Sequence, residues 1–304
     1  LFGEYTTNAS GEIFLYDLDP GTYLVKEIAT DDAHVVNSTP QQIELKAGDT
    51  QTRELVFFNS LKPGIHLIKV DSITMKSLPN VRFEFKLVGG SYRQEFTTDI
   101  NGEIDLSKLT PGAYEVRELE APDGYLIDDA VRVVQVNPDE NANFVFTNTP
   151  KPSLRLIKTS SDGTRLGGVH FRIARIEDGT HYLDRITDDN GEINIANLEP
   201  GVYSIKETAT VADHILDLQE YHVELFPGQT STITIENQRR PNLIVYKKDA
   251  DTGDPIADTV FTVRAADGHS VDEIKTDSQG KATLDNLLPG VYEISEKSVP
   301  APWL

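Results

Sequence analysis

One phrase recurs four times along the chain and constrains its fold more than any other feature. Each copy reads Gly-Glu-Ile, then Pro-Gly-x-Tyr a few residues later, then x-Val/Ile-x-Glu; the fourth copy is looser, with Lys281 in place of the first glutamate. The copies span 11–27, 102–118, 191–207 and 280–296. Their tyrosines are separated by 91, 89 and 89 residues. This period is the length of a domain, not of a solenoid turn, so it predicts tandem domains.

Short proline-containing segments at 60–64, 149–152 and 238–241 separate the copies and predict the domain boundaries. The predicted repeats, numbered 1 to 4, are 1–61, 62–150, 151–239 and 240–304. Repeats 2 and 3 are expected to be complete, repeat 1 to lack its opening strands and repeat 4 its closing strands, as in a segment of a longer protein. Because the joints are short and proline fixes φ, we expect a semi-rigid rod.

Within each repeat, apolar and polar residues alternate with a period of two, which is typical of half-buried strands. Phe83 and Phe85, for example, alternate with Arg82 and Glu84. Turn dipeptides such as Asn-Gly and Pro-Gly punctuate these segments. The pattern predicts an all-β protein, with a sandwich of about seven strands in each complete repeat.

Composition excludes several classes of function. Lys plus Arg number 28 against 49 Asp plus Glu, a net charge of −21, which disfavours nucleic acid and anionic membrane surfaces as partners. The chain has no cysteine, which rules out disulfides, thiolate metal sites and cysteine nucleophiles. We predict no cofactor and no metal, and we do not expect an enzyme.

Three polar residue types fall in phase with the core-facing residues of their strands. The opening strands place a lysine inward, the strands after Pro-Gly a glutamate, and the closing strands an asparagine. The lysines are Lys69, Lys158 and Lys247; the glutamates are Glu27, Glu118, Glu207 and Glu296; the asparagines are Asn59, Asn148 and Asn237. Lysine to glutamate is always 49 residues and lysine to asparagine is 79 in both complete repeats, a constancy that drifting surface residues would not keep.

Two interpretations of these inward residues are open. They can form a buried, unreacted ion pair that is hydrogen-bonded to the amide. Alternatively, burial disfavours both charged forms, so a neutral amine and a protonated carboxylic acid stand beside the asparagine amide. The amine then attacks, the acid relays protons, and ammonia leaves a Lys-Asn isopeptide bond in a single turnover.

The motifs resemble the collagen-adhesin B-region (CnaB, SpaA-like, prealbumin-like) domain of Gram-positive surface proteins and pilins. They are Lys-x-Asp at 69–71 and 247–249, Tyr-x-Val-x-Glu at 114–118, Ala-Pro-Asp-Gly-Tyr at 121–125 and Val-Phe-Thr-Asn at 145–148. The resemblance covers the whole chain and implies immunoglobulin-like or transthyretin-like β-sandwiches. It also implies a Lys-Asn bond between first and last strands, assisted by a glutamate or aspartate.

Carried over by position, the resemblance implies Lys69–Asn148 assisted by Glu118, and Lys158–Asn237 assisted by Glu207. In the incomplete repeats it leaves Glu27 with Asn59, and Lys247 with Glu296, so two bonds are expected rather than four. Repeat 3 departs from the pattern with Lys158-Thr159-Ser160 and with Gly163-Thr164. In repeat 4, Lys247 competes with Lys248, and strand phase together with the 49-residue spacing to Glu296 favours Lys247.

Other motifs favour plain structural roles. The acidic turn at 188–192 lacks the ligand ladder of a calcium loop and is interpreted as a hairpin turn. Neither a zinc motif nor a hydrolase triad has support in the sequence. Tyr125, Tyr221 and Trp303 could stack on a ligand, but packing in a core or under a loop is favoured.

Two functions from different classes remain open. The favoured one is a stalk or shaft segment of a cell-wall-anchored extracellular protein, and the other is a ligand-binding adhesin module. Near-identical domains with short joints favour the stalk, and no repeat carries a long aromatic-rich insertion. Its partners would be neighbouring repeats of the same longer chain, with any host or matrix ligand bound at a tip domain elsewhere.

Overall fold

The computed structural model describes residues 2–177 and 182–302. It is all-β, and the chain divides into two compact units. Unit 1 comprises Leu1–Asp123 and Ile127–Asn148; unit 2 comprises Gly124–Leu126 and Thr149–Leu304. No helix that could span a membrane occurs in the part of the chain that the structure describes.

Unit 1 contains nine strands among its described residues. They are β1 (Gly21–Val25), β2 (Gln41–Leu45), β3 (Gly64–Asp71), β4 (Arg82–Leu87), β5 (Arg93–Thr97), β6 (Glu103–Leu106), β7 (Gly112–Glu120), β8 (Arg132–Val136) and β9 (Asn141–Asn148). Strands β1 and β2 form a two-stranded antiparallel ribbon in repeat 1. Repeat 2 forms two sheets, one of order β6-β3-β9 and the other of order β5-β4-β7-β8.

Unit 2 contains twelve strands among its described residues. They are β10 (Ser153–Ser160), β11 (His170–Arg175), β12 (Tyr182–Ile186), β13 (Glu192–Ile195), β14 (Gly201–Ala209), β15 (Glu220–Leu225), β16 (Thr230–Asn237), β17 (Leu243–Tyr246), β18 (Val260–Ala265), β19 (Ser270–Lys275), β20 (Lys281–Leu284) and β21 (Tyr292–Ser298). Repeat 3 has sheets β13-β10-β16 and β12-β11-β14-β15, the same arrangement as repeat 2. Repeat 4 has sheets β17-β20 and β19-β18-β21.

The apolar alternation of the strands produces a core in each of repeats 2 and 3. In repeat 2 the fully buried side chains include Leu67, Phe83, Phe85, Tyr114 and Val116. In repeat 3, Leu156, Phe171, Ile173 and Ile205 occupy the same positions on the corresponding strands. The prediction of an all-β sandwich with seven strands in each complete repeat is confirmed for the described residues.

The Pro-Gly-x-Tyr phrase has a structural cause in all four repeats. The tyrosine hydroxyl donates a hydrogen bond to the carbonyl oxygen four residues before it, at distances from 2.7 to 3.0 Å. The bond pins the turn to the strand that follows it, as tyrosine corners do in other sandwiches. It thereby sets the start, and hence the phase, of the strand that carries the glutamate.

Candidate functional site

The lysine and the asparagine lie on neighbouring parallel strands at the middle and edge of one sheet. In repeat 2, β3 pairs with β9 in parallel, so that Lys69 lies opposite Phe146 and Asp71 opposite Asn148. Asn148 is two residues beyond the partner of Lys69 and shares its face of the sheet. The register of β10 and β16 places Lys158 and Asn237 in the same relation.

The glycine of the repeated phrase holds the lysine backbone in place. Lys69 N donates to Gly102 O at 2.7 Å, and Leu78 N donates to Lys69 O at 2.9 Å. Gly102 has φ of +78°, and a Cβ there would lie 2.6 Å from Lys69 O, so only glycine fits. Gly191 makes the same approach to Lys158.

Three buried side chains meet in the core of repeat 2. Lys69 Nζ donates to Glu118 Oε2 at 2.7 Å and makes a short contact with Asn148 Oδ1. Asn148 Nδ2 donates to Glu118 Oε1 at 2.7 Å. As whole residues, Lys69 is 0%, Asn148 1% and Glu118 3% exposed. The triangle is closed to solvent, and each member contacts the other two.

Repeat 3 contains a second triangle of the same kind. Lys158 Nζ donates to Asn237 Oδ1 at 2.5 Å and lies 3.0 Å from Glu207 Oε2, outside hydrogen-bond geometry. Asn237 Nδ2 donates to Glu207 Oε1 at 2.6 Å. All three side chains are buried. The same sequence spacing therefore produces the same enclosed contact set twice.

Aromatic rings and strand irregularities surround each triangle. Lys69 Nζ lies 5.6 Å from the centroid of the Phe83 ring, and Lys158 Nζ lies 5.8 Å from that of Phe171. Each phenylalanine is the register partner of the glutamate on the neighbouring strand. A register shift lies directly beside each of these pairs and changes the local direction of the strand. Burial lowers the pKa of Lys69 and of Lys158, although the charge of the neighbouring glutamate opposes this effect in both repeats, as does the hydrogen bond from Lys69 to Glu118 in repeat 2.

Repeats 1 and 4 each bring two of the three residue types together. Asn59 Nδ2 donates to Glu27 Oε1 at 2.6 Å, while Asn59 Oδ1 is buried without a partner. That oxygen is the atom that the lysine contacts in repeats 2 and 3. In repeat 4, Lys247 Nζ donates to Glu296 Oε2 at 2.7 Å, and the two side chains are 28% and 33% exposed.

A threonine contacts the asparagine amide in two repeats, and the sequence reasoning missed it. Asn237 Nδ2 donates to Thr210 Oγ1 at 2.8 Å, and Asn59 Nδ2 donates to Thr30 Oγ1 at 2.8 Å. Both threonines stand three residues after the inward glutamate. That common spacing was the signal that could have found them.

Ser160 and His214 form a second buried polar contact, in repeat 3. His214 Nε2 lies 2.9 Å from Ser160 Oγ, and His214 Nδ1 lies 2.8 Å from Asp213 Oδ1. The order of partners resembles a hydrolase triad, but Ser160 is 0% and His214 1% exposed. A substrate cannot reach the hydroxyl, so the contact acts as packing within the fold.

Two places offer carboxylates that could hold an ion. His66, Glu103 and Asp105 bring one ligand atom each within 4.8 Å of one another on repeat 2. Exposed groups of this kind are common on proteins without a metal, and the cluster carries no assignment. In the acidic turn, Asp188 Oδ1 accepts hydrogen bonds from Asn190 N and Glu192 N, so the turn's own backbone uses this carboxylate.

The three aromatic residues considered as ligand-stacking groups differ in their placement. Tyr125 is half-buried and bridges to Pro150. Tyr221 lies on β15, packs against the core of repeat 3 and donates its hydroxyl to Asp217 at 2.7 Å. Trp303 lies outside the described residues. His214, seven residues after Glu207, occupies the position that corresponds to Tyr125.

A family model described as SpaA, prealbumin-like fold domain matches the chain four times. The matched residues are 1–58, 63–150, 152–239 and 241–303. The chain therefore belongs to the SpaA prealbumin-like fold domain family, in agreement with the resemblance carried by its motifs.

Curated relatives are distant and much longer than this chain. Over 94% of its length, the chain is 24% identical to Colossin-A of Dictyostelium discoideum, of which it covers 3%. Over 78% of its length, it is 23% identical to the BOS complex subunit NOMO1 of Mus musculus, of which it covers 19%.

Solved structures with a similar fold include three bacterial proteins. The Bacillus anthracis TIE protein is 24% identical, with 87% of this chain and 49% of that chain covered and a TM-score of 0.38. The minor pilin GBS52 of Streptococcus agalactiae is 17% identical, with coverage of 62% and 100% and a TM-score of 0.33. The shaft pilin SpaA of Lactobacillus rhamnosus GG is 15% identical, with coverage of 59% and 98% and a TM-score of 0.36. Membership of the family rests on the four matches to the family model.

Proposed function

We propose that repeats 2 and 3 each close an intramolecular isopeptide bond and that the chain is part of a mechanical stalk. The observation that carries the proposal is the enclosed contact of Lys69 with Glu118 and Asn148, repeated by Lys158 with Glu207 and Asn237. Glu27 and Glu296 are the equivalent assisting glutamates of the flanking repeats, with Asn59 and Lys247 as unpaired crosslink candidates. The reaction is a single turnover of the protein on itself.

The chemistry follows from the positions of the atoms. The neutral Nζ amine attacks Cγ of the asparagine. The glutamate accepts a hydrogen bond from the amide nitrogen and lies within 3.0 Å of Nζ in both repeats, so it can relay a proton between them. The Nζ–Cγ bond forms, the Cγ–Nδ2 bond breaks, and one ammonia leaves with a proton taken from Nζ. Burial lowers the pKa of both lysines and thereby favours the neutral amine that the attack requires.

The bond would connect the strands through which tension passes. Tension enters repeat 2 at the start of β3 and leaves at the end of β9. Since β3 and β9 are parallel, these points lie at opposite ends of the same strand pair. A Lys69–Asn148 bond carries force directly from β3 to the end of β9, so the chain between them does not extend.

The cellular setting is also part of the proposal. We place the stalk outside the cell, in a wall-anchored Gram-positive surface protein or pilus, following the motif resemblance. The structural units would be the repeats bounded near 61, 150 and 239. The partners are neighbouring repeats of the longer chain, with any host or matrix ligand bound by a tip domain elsewhere.

Intact mass spectrometry tests the bonds. The chain should weigh less than its sequence mass by two ammonias, and digestion should yield one branched peptide joining Lys69 to Asn148 and another joining Lys158 to Asn237. The matched control is the chain with Glu118→Gln and Glu207→Gln, which should keep its full mass. A wild-type chain of full sequence mass would overturn the proposal.

Single-molecule stretching tests the mechanical role. Pulled from its ends, the wild-type chain should show no extension from the segments between each lysine and asparagine. The double glutamine variant should gain about 25 nm for each of repeats 2 and 3, since a free segment of 79 residues reaches roughly 3.3 Å per residue. Equal extension of both chains would contradict a stalk that bears tension through the bonds.

A further inference from the structure

The amide nitrogen of the closing asparagine has different partners in the two complete repeats. In repeat 2, Asn148 Nδ2 donates to Glu118 Oε1 at 2.7 Å. In repeat 3, Asn237 Nδ2 donates both to Glu207 Oε1 at 2.6 Å and to Thr210 Oγ1 at 2.8 Å. An amide nitrogen carries two protons, so in repeat 3 each proton has its own acceptor.

The position three residues after the glutamate explains this difference. Repeat 3 has Thr210 there, whereas repeat 2 has Ala121, whose methyl group cannot accept a hydrogen bond. Repeat 1 reproduces the contact of repeat 3, because Thr30 Oγ1 accepts from Asn59 Nδ2 at 2.8 Å. Repeat 4 has Val299 at this position. The acceptor thus alternates with an apolar side chain from one repeat to the next.

We infer that Thr210 is a positioning residue for isopeptide formation and that repeat 3 closes its bond faster than repeat 2. This inference rests on the proposed crosslinking function. Because both Nδ2 protons are hydrogen-bonded, the side-chain amide cannot rotate. Oδ1 therefore stays in contact with the lysine Nζ, and Cγ stays accessible to attack by the amine. When the Cγ–Nδ2 bond breaks, the Thr210 hydroxyl continues to accept a hydrogen bond from the departing ammonia.

Repeats 2 and 3 lie in one polypeptide, so the ratio of their rates is an internal measurement. Thr210→Val keeps the shape of the side chain and removes the acceptor, and it should slow bond formation in repeat 3 by about fivefold to tenfold, the effect of one neutral hydrogen bond. Thr210→Ser keeps the oxygen and should restore most of the rate. Ala121→Thr introduces the acceptor into repeat 2 and should accelerate that repeat by a similar factor.

The experiment is a time course on the full chain made by cell-free synthesis. Samples are quenched in denaturant and digested, and the branched and unbranched peptides of each repeat are quantified by mass spectrometry. Protease resistance of repeat 3, read from the same samples before denaturation, shows that the Thr210→Val chain has folded. Should that variant fail to fold, Ala121→Thr gives the answer in repeat 2.

The outcomes separate the inference from the function on which it rests. The measured quantity is the rate of bond formation in repeat 3 divided by that in repeat 2. A wild-type ratio above one that falls with Thr210→Val, recovers with Thr210→Ser and also falls with Ala121→Thr supports the positioning role. Ammonia loss in both repeats with a ratio that neither Thr210→Val nor Ala121→Thr changes overturns the inference and leaves the crosslinking function standing. A wild-type chain that loses no ammonia in either repeat overturns both.

Discussion

Repeats 2 and 4 contain the same lysine-glutamate contact in very different surroundings. Lys69 and Glu118 in repeat 2, and Lys247 and Glu296 in repeat 4, are each joined by a 2.7 Å hydrogen bond from Nζ to Oε2. The first two side chains are 0% and 1% exposed, whereas the other two are 28% and 33% exposed. Identical spacing and distance thus coexist with different degrees of solvent exposure.

Strand phase brings the lysine and the glutamate together in both repeats, whereas the closing strand is what encloses them in repeat 2. In repeat 2, β9 lies beside β3, carries Asn148 and contributes the buried Phe146. Among the described residues of repeat 4, β17 pairs with β20 alone. Without that cover the lysine-glutamate pair stays in contact with water.

The largest expected effect is the loss of one bond on removal of one buried carboxylate. Glu118→Gln keeps the shape of the side chain but cannot relay a proton, so bond formation in repeat 2 should slow by roughly 10²-fold to 10⁴-fold. Intact mass should then show one ammonia lost instead of two. Glu296→Gln is the matched control and should leave the two-ammonia deficit unchanged; a deficit of two in the Glu118→Gln chain would remove glutamate from the mechanism.

The second effect concerns stability. Lys69→Met prevents the bond across a loop of 79 residues and should lower the free energy of unfolding of repeat 2 by about 4 to 5 kcal/mol from the crosslink alone. The comparison is made by chemical denaturation of the wild-type and variant chains. The Lys158→Met chain should show the same change in repeat 3. Denaturation midpoints that do not move would show that the bond adds no stability.

A third prediction concerns the pH dependence of bond formation. The attacking species is the neutral amine, and burial lowers the pKa of Lys69 and Lys158 from the ordinary value of 10.5. The neutral fraction rises with pH, so the rate should rise with pH along a limb that lies below 10.5. Quenched samples of freshly synthesised chain, taken at a series of pH values, measure it. A rise in rate centred at pH 10.5 would mean that burial in the core does not lower the pKa of the attacking amine.

The smallest effect should come from the exposed pair. Lys247→Met removes a partly solvated ion pair, which contributes under about 1 kcal/mol to the free energy of unfolding. The residual effect should shrink as salt is added, because salt screens exposed charges. Thermal unfolding at low and high salt measures the change. A loss as large as that from Lys69→Met would show that repeat 4 depends on this pair as strongly as repeat 2 depends on its own.

The amino-acid sequence alone predicts the number of repeats, the all-β class and the inward phase of the lysine, glutamate and asparagine. These features follow from local rules, because a strand alternates its side chains and a tyrosine corner sets where the strand begins. The constant spacings of 49 and 79 residues then implied that the three side chains meet in each complete repeat. Lys247 was likewise favoured over Lys248 by strand phase and by its spacing to Glu296, and the structure places Lys247 against Glu296.

The other contacts of the asparagine amide and the enclosure of each site depend on how distant segments pack together. Thr210 follows β14 and reaches Asn237 on β16 because the two sheets face one another, and no strand periodicity specifies that contact. His214 and Ser160 meet for the same reason, across 54 residues of sequence. Solvation of Lys69 and Lys247 likewise depends on which strands lie over them. Such contacts arise from the packing of distant segments, whereas the phase of a strand is set by its own residues.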